Sequence, residues 1–159
     1  MQNMHPEKIP KLLYELIKNS RRSDRDLAKV LGYSQPTVTR TRRKLEDEKY
    51  VLQYTAIPDF TKIGFEIVAF TFTQRPPLET EADSLYKQLG KDPRVIFVAN
   101  GNGLEGKNVV VITMHKNYSD YSNFIADLRK KSSIQTTSSF IAILGGIAKT
   151  FSLSSLEKV

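Results

Sequence analysis

The sequence predicts an α+β protein in which a helical N-terminal part precedes a part that alternates strands with helices. In the first 50 residues, apolar side chains recur at helical spacing, as at Leu12, Leu13 and Leu16. Further along, β-branched runs such as residues 65–73 and 108–114 alternate with helical patterns in the order β-α-β-β-α-β. That order is typical of a ferredoxin-like domain, in which two helices cover an antiparallel sheet.

The amino-acid composition narrows the classes of function. The chain of 159 residues has no cysteine and two histidines, His5 and His115, of which the second is expected to be structural or solvent-facing. Disulfides, cysteine nucleophiles and clusters of thiolate or imidazole metal ligands are excluded, and nothing resembles a catalytic site. No apolar run approaches the roughly 20 residues of a membrane span, and the N-terminus lacks a secretory pattern. We expect a cytoplasmic protein, not an enzyme, with no cofactor, metal or membrane partner.

Positive charge is concentrated in the first third of the chain. The net charge is +7. Residues 1–50 hold 12 lysines and arginines against seven acidic residues, whereas residues 51–159 hold 12 against 10. An N-terminal module with this excess suits a polyanion such as nucleic acid. The alternative is a basic surface that is merely solvated.

Residues 33–45, YSQPTVTRTRRKL, fit two different secondary structures. The β-branched alternation of residues 37–42 is typical of a strand. Ser34, however, is a good N-cap, and it puts Pro36 in the first turn of a helix, where its missing N–H costs nothing. In that helix Val38, Thr41 and Leu45, at positions i, i+3 and i+7, share one face. We therefore predict a helix over about residues 35–48.

Another helix comes just before this one. Ser23 caps it, Asp24 and Asp26 lie in its first turn, where the helix dipole favours acids, and Gly32 ends it. Because only Tyr33 separates that glycine from the next cap, the two helices form a helix-turn-helix. In such a motif the second helix docks in the major groove of DNA.

The outer face of the second helix carries the side chains expected to read DNA. Arg40 and Arg43 can each fork onto a guanine edge, and Thr39 can meet a thymine methyl group. Arg42 and Lys44 lie off that axis and are expected to touch phosphates. The helix N-terminus also favours phosphate. The residues predicted to contact double-stranded DNA are Ser34, Gln35, Pro36, Thr37, Thr39, Arg40, Arg42, Arg43 and Lys44. The alternative is an ordinary three-helix bundle with a solvated basic face.

The stretch SDRDLAKVLGYSQPTVTRTRRKLEDEKYVLQYTAIPD resembles the helix-turn-helix and exit strand of the Lrp/AsnC regulators, also called feast/famine proteins. It matches that family's pattern, sxxeLAxxlgxSxxxVxxRixrLexxGvIxgyta, without gaps from Ser23 to Ala56. In the family, a ferredoxin-like ligand-sensing domain follows, so the resemblance covers nearly the whole chain. It implies a sequence-specific DNA-binding transcription regulator, dimeric or higher, that responds to an amino acid or other small metabolite.

Two positions depart from the family pattern. Arg42 stands where the pattern has an apolar residue, so a cation replaces a core contact. Lys49 stands where the pattern has glycine after the second helix. A lysine there must either take up an unfavourable backbone conformation or end the helix differently.

The glycine-rich run GNGLEG, residues 101–106, matches the dinucleotide-binding fingerprint in letters only. That fingerprint needs a helix directly after its last glycine, whereas a strand pattern follows here. The run is expected to be a hairpin between the two central strands. The resemblance implies an effector site in this region, with Gly101, Gly103 and Asn108 as candidates. Asn108 can accept a hydrogen bond but brings no charge to an ammonium group.

The predicted domains are a helix-turn-helix (winged-helix-like) domain over residues 1–58, a linker over 59–64 and a ferredoxin-like domain over 65–159. Residues 51–58, VLQYTAIP, are β-prone and are predicted as a strand that leaves the first domain.

The predicted sheet has apolar side chains on both faces, as in the run of residues 109–112. Two helices cover one face, so a second copy of the chain is expected to cover the other as a homodimer or higher oligomer. One alternative is a regulator of the same family whose C-terminal domain only oligomerises, with no effector. Another is an RNA-binding protein that stacks bases on sheet aromatics. Aliphatic residues on the sheet argue against RNA: Val109, Val111, Ile67 and Ala69.

Overall fold

The computed structural model describes residues 8–102, 104–131 and 137–147, which divide into two compact units, 8–57 and 58–147. The helices of the first unit are α1 (Lys8–Lys18), α2 (Asp24–Leu31) and α3 (Gln35–Asp47). The elements of the second unit are β1 (Ile67–Thr73), α4 (Glu79–Leu89), β2 (Val95–Asn100), β3 (Val109–His115), α5 (Tyr118–Lys131) and β4 (Thr137–Ile143). The predicted α+β class and the β-α-β-β-α-β order are confirmed.

The three helices of the first unit pack around one small apolar core. The Ser23 side chain caps α2 by accepting a hydrogen bond from the Asp26 N–H at 3.2 Å, and Gly32 ends the helix with a left-handed φ of 68°. The Ser34 side chain caps α3 by accepting from the Thr37 N–H at 3.4 Å. Both caps are as predicted, and α3 is a helix rather than the alternative strand. The buried core side chains are Leu12, Leu16, Leu27, Ala28, Val38 and Leu45.

At the end of α3, Lys49 occupies the position where the family pattern has glycine. Lys49 adopts a left-handed backbone with a φ of 62°. This turn lets the Lys49 N–H donate to the Glu46 carbonyl oxygen at 3.2 Å and the Val51 N–H donate to the Leu45 carbonyl oxygen at 3.0 Å. Of the two outcomes expected for a lysine here, the unfavourable conformation is the one observed.

The sheet of the second unit is antiparallel, with the strand order β2-β3-β1-β4. Phe70 of the central strand β1 lies opposite Ile112 of β3 on one side and opposite Phe140 of β4 on the other. Side chains of α4 and α5 pack on one face of the sheet. This is the ferredoxin-like arrangement. The last strand was predicted to begin at residue 134, but residues 132–136 lie outside the described part of the chain.

The two faces of the sheet differ in how far they are covered. On the face beneath α4 and α5, Ala69, Val109 and Val111 are almost fully buried. On the opposite face, Phe97 is 49% exposed and Phe140 is 64% exposed. The register assigns these further side chains to this open face: Val68, Phe70, Phe72, Ala99, Val110, Ile112, Met114, Ser138 and Ala142. None of them is charged.

This register corrects one step of the sequence argument. The aliphatic residues taken as the accessible sheet surface lie on the helix-covered face: Val109, Val111, Ile67 and Ala69. The open face is instead rich in phenylalanine. Both faces are apolar, so the alternation of side chains along the strands does not reveal which face the helices cover.

The segment after α3 also differs from its prediction. Residues 51–58, predicted as the exit strand of a winged-helix-like domain, form no strand, and the described sheet contains no partner for them. Leu52 is 84% exposed. A strand needs a neighbour for its backbone hydrogen bonds, and a β-prone sequence does not supply one. Within residues 59–64, proposed as a linker, Thr61–Ile63 form a 3-10 turn.

Candidate DNA-binding site

Helix α3 has one buried side and one free side. Val38 is fully buried and Thr41 is 2% exposed, so this side packs against the other two helices. At the start of the helix Pro36 lies in the first turn, and the Ser34 and Thr37 hydroxyl oxygens are 2.8 Å apart. The cap and the proline therefore define where α3 begins, and its buried side defines its rotation about its own axis.

The free side of α3 carries the side chains predicted to read bases. Gln35, Pro36, Thr39, Arg40 and Arg43 line one shallow depression. The side chains of Arg40 and Arg43 are exposed, and no ion pair holds either of them among the described residues. An unpaired guanidinium retains the planar fork of N–H donors that can form two parallel hydrogen bonds with a guanine edge.

The other predicted contacts lie at the N-terminus of α3 and on its flank. Ser34 and Gln35 are exposed beside the first-turn N–H groups, which favour an anion. Thr37 is half-buried, with its hydroxyl against the cap. Lys44 Nζ lies 3.6 Å from the Glu48 carboxylate. An exposed pair of this kind is weak, so a phosphate can compete for the lysine.

Arg42 does not belong to the free side. Its Nε lies 2.8 Å from Asp24 Oδ1 in an ion pair, and its Nη2 donates to the Arg22 carbonyl oxygen at 3.0 Å. Only 20% of the Arg42 side chain is exposed. The position at which the related pattern has an apolar residue is thus filled by a cation that is bound to the start of α2.

Thr39 is bound to the same carboxylate. Its hydroxyl donates to Asp24 Oδ2 at 2.6 Å, although the side chain also lines the depression on the free side. Sequence reasoning assigned Asp24 only a favourable interaction with the helix dipole and missed its contacts with α3. The two partners lie on a different helix, so no local pattern reveals them. The one signal of such a contact in the sequence was Arg42, a cation at a position where the related pattern has an apolar residue.

The hairpin predicted to hold an effector is built by its own hydrogen bonds. The Gly101 N–H donates to the Asn108 carbonyl oxygen at 2.8 Å, and Asn108 Oδ1 accepts from the Arg75 N–H at 2.7 Å. The side-chain oxygen considered as a ligand acceptor is therefore already holding the segment after β1. Gly103 lies outside the described residues. Because β3, a strand, follows the glycine-rich run, the geometry of a dinucleotide site is not formed.

His115 is buried among aromatic and polar side chains of the second unit. Its Nε2 lies 2.7 Å from the Thr113 hydroxyl, and its Nδ1 lies 3.4 Å from Asp120 Oδ2. Burial lowers the pKa of His115, and the neighbouring Asp120 carboxylate opposes that shift. This histidine is structural. In the described part of the chain, no group of three or more His, Asp or Glu side chains is arranged to hold a metal ion.

No helix within the described residues has the length and apolar character needed to cross a membrane.

Comparison with known proteins links the helical unit to one class of DNA-binding domain. The profile of the AsnC-type helix-turn-helix domain matches residues 8–46. An uncharacterised HTH-type transcriptional regulator of Pyrococcus horikoshii is 24% identical over 133 residues, which cover 84% of this chain and 87% of the relative. A similarly described regulator of Pyrococcus abyssi is 23% identical and covers 84% of this chain and 88% of the relative.

Solved structures share the fold over nearly the full length. An AsnC family transcriptional regulator from Agrobacterium tumefaciens superimposes with a TM-score of 0.82 at 18% identity, covering 94% of this chain and 95% of that one. A transcriptional regulator from Neisseria meningitidis in complex with L-Met superimposes with a TM-score of 0.81 at 21% identity, covering 95% and 96%. AsnC of Escherichia coli superimposes with a TM-score of 0.76 at 17% identity, covering 94% and 99%.

Proposed function

We propose that this chain is a transcription regulator of the AsnC/Lrp type with a helix-turn-helix domain, and that α3 reads a specific duplex sequence from the major groove. The observation that carries the proposal is the exposed pair Arg40 and Arg43 on the free side of α3. Two unpaired guanidinium groups, three residues apart on a helix whose opposite side is buried, project in nearly the same direction. We propose no catalytic role, since its relatives are described as regulators.

We propose that the regulator acts as a homodimer, or a higher oligomer, held together through the open face of its sheet. That face presents Phe97 and Phe140, each about half exposed or more, beside uncharged neighbours. Apolar surface of this kind gains free energy when a second copy covers it. A two-fold pair of α3 helices would then meet two half-sites of a near-palindrome. The protein would act in the cytoplasm, where it meets its operator.

We propose an amino acid or similar small metabolite as the effector. The support is that a solved structure with the same fold is a complex with L-Met. The candidate region is the hairpin of Gly101, Gly103 and Asn108, in which the Asn108 side-chain oxygen already accepts one hydrogen bond. Single amino acids added to the protein should change its sedimentation or its DNA affinity. If none does so, the alternative of a regulator without an effector is favoured.

The decisive experiment is selection of bound sequences from two random pools, one of duplex DNA and one of single-stranded RNA. We expect enrichment of a near-palindromic duplex whose half-site centres lie about 34–36 Å apart, or a multiple of that distance. The phenylalanines of the open face would favour RNA, but its strand residues offer no cation for phosphate. Enrichment of RNA, or of no motif at all, would refute the proposed function.

A further inference from the structure

The first turn of α2 holds the reading helix through one carboxylate, Asp24. Its Oδ1 lies 2.8 Å from Arg42 Nε, and its Oδ2 accepts a hydrogen bond from the Thr39 hydroxyl at 2.6 Å. Thr39 and Arg42 are three residues apart, so they lie on neighbouring parts of one helical face. One carboxylate therefore contacts side chains on two successive turns of α3.

We propose that Asp24 is a positioning residue that determines base specificity by fixing the rotation of α3 and the rotamer of Thr39. This inference rests on the proposed function of α3 as the reading helix. The Thr39 hydroxyl lies 2.6 Å from Asp24 Oδ2 and 3.2 Å from the Gln35 carbonyl oxygen, both of which accept its proton, so the methyl group is what the side chain offers to a base in the major groove. A methyl group held in one rotamer discriminates the thymine methyl from the bare edge of cytosine.

Arg42 acts in this arrangement as a brace and not as a phosphate contact. Its guanidinium also donates to the Arg22 carbonyl oxygen at 3.0 Å, just ahead of α2, and its side chain is only 20% exposed. The side chain of Arg22 in turn pairs with Glu15 of α1. The brace therefore connects α3 to both other helices of the unit. Because Arg42 and Asp24 neutralise each other, the pair presents no net charge to the DNA backbone.

Rotation of α3 matters for reading because its base-contacting side chains lie far from its axis. Arg40 lies directly after Thr39, and Arg43 directly after Arg42. The contacts of Asp24 with Thr39 and Arg42, called the clamp below, therefore hold the turns from which both guanidinium groups project. Base readout needs hydrogen-bond geometry within a few tenths of an ångström. A helix that can roll retains its charge and its phosphate contacts but loses discrimination between bases.

The test compares base preference in selected duplex pools for the full chain and three variants. Thr39→Ser removes the methyl group and keeps the hydroxyl, so it identifies the base position that Thr39 reads. Asp24→Ala removes the carboxylate that both partners share, leaving each of them one backbone carbonyl oxygen, and should lower the preference at that same position by about fivefold or more. Arg42→Met breaks the ion pair but leaves the bond between Asp24 and Thr39. It should relax the same position, whereas loss of a phosphate contact alone reduces the salt slope by about 1 and leaves base preference intact.

A matched control lies in the same turn of α2. Asp26 Oδ2 accepts a hydrogen bond from the Ser23 hydroxyl at 2.6 Å, and among the described residues its side chain makes no hydrogen bond or ion pair with α3. Asp26→Ala should lower the free energy of unfolding, as Asp24→Ala also should, but it should leave every base preference intact. Circular dichroism establishes that each variant is folded. If Asp24→Ala does not fold, Arg42→Met decides the matter.

Two results would overturn the clamp while leaving the proposed function standing. The first is equal base preference in the Asp24→Ala and Asp26→Ala proteins. The second is an Arg42→Met protein that loses about one unit of salt slope with its base preference intact. If the unsubstituted chain selects no duplex motif, the proposed function itself fails and the clamp fails with it.

Discussion

At the scale of single residues, Lys49 stores backbone strain at the end of α3. Its φ of 62° lies in the left-handed region, which costs a residue with a side chain about 1–2 kcal/mol. Lys49→Gly should remove that strain but adds backbone entropy to the unfolded chain, so we expect a net gain of about 0.5–1 kcal/mol in the free energy of unfolding. Urea unfolding followed by circular dichroism measures it.

Gly32 is the matched control for that substitution. It ends α2 with a φ of 68°, and a Cβ there would have no atom within 4 Å. Gly32→Ala therefore tests backbone strain without any steric clash, and it should lower the free energy of unfolding by about 1 kcal/mol. A Lys49→Gly protein no more stable than the unsubstituted chain would mean that the lysine side chain compensates for its own strain.

His115 gives stability a dependence on pH near neutrality. Burial lowers the pKa of His115 in the folded protein, whereas in the unfolded chain it is about 6.5. Between the two values the unfolded chain binds more protons, so the free energy of unfolding falls as the pH drops below about 6.5. We expect lower stability at pH 5.5 than at pH 7.5, measured by urea unfolding.

His115→Gln is the variant that isolates this effect. Glutamine cannot take up the proton, so the difference in stability between the two pH values should shrink. His5 is present in both proteins and cancels in the comparison. The carboxylates of Asp92 and Asp120 face the imidazole. The hydrogen bond from Arg94 lowers the pKa of Asp92, so Asp92 stays ionised throughout this pH range. An unchanged pH dependence would mean that His115 does not cause it.

At the scale of the element, the cations of α3 are predicted to have different roles according to the side of the helix on which they lie. Arg40→Ala and Arg43→Ala should each relax base preference at a defined position, by about 1–3 kcal/mol. Lys44→Ala should weaken binding to all duplexes about equally and should reduce the salt slope by about 1. The measurements are selection from a duplex pool and titration at several salt concentrations. If all three substitutions reduce DNA affinity equally and independently of sequence, α3 contacts only phosphates.

The same element shows what local sequence can and cannot predict. The start of α3 could be predicted because its cap, Ser34, and its proline lie within three residues of each other and act on the same first turn. Helical spacing placed Arg42 off the base-reading axis, but its partner could not be predicted, because nothing nearby in the sequence indicates that Asp24 binds it. Asp24 is near in space and distant in sequence.

At the scale of the whole molecule, two neighbouring residues of β3 test the subunit interface. Val111 is fully buried beneath the helices, whereas Ile112 lies on the open face opposite Phe70 and Phe97. Val111→Lys buries an unpaired charge, which costs several kcal/mol, and the domain should unfold by circular dichroism. Ile112→Lys should leave the fold intact and yield monomers by sedimentation.

Oligomeric state also has a consequence for DNA binding. Monomeric Ile112→Lys should bind a full near-palindromic site far more weakly than the unsubstituted protein, by about 10²-fold or more, because it loses the effective concentration of the second half-site. Binding to an isolated half-site should be unchanged. If Ile112→Lys sediments as a folded dimer, the subunits meet on some other surface.

The sequence by itself determined the helix boundaries of the first unit and the order β-α-β-β-α-β, because caps, turns and periodicity act among residues within a few positions of one another. Tertiary structure alone decided which sheet face the helices cover, since an alternation with apolar residues on both sides is symmetric. It also decided that residues 51–58 lack a strand and that Arg42 faces α2. Each of these depends on a partner supplied by a distant part of the chain, and no local pattern contains it.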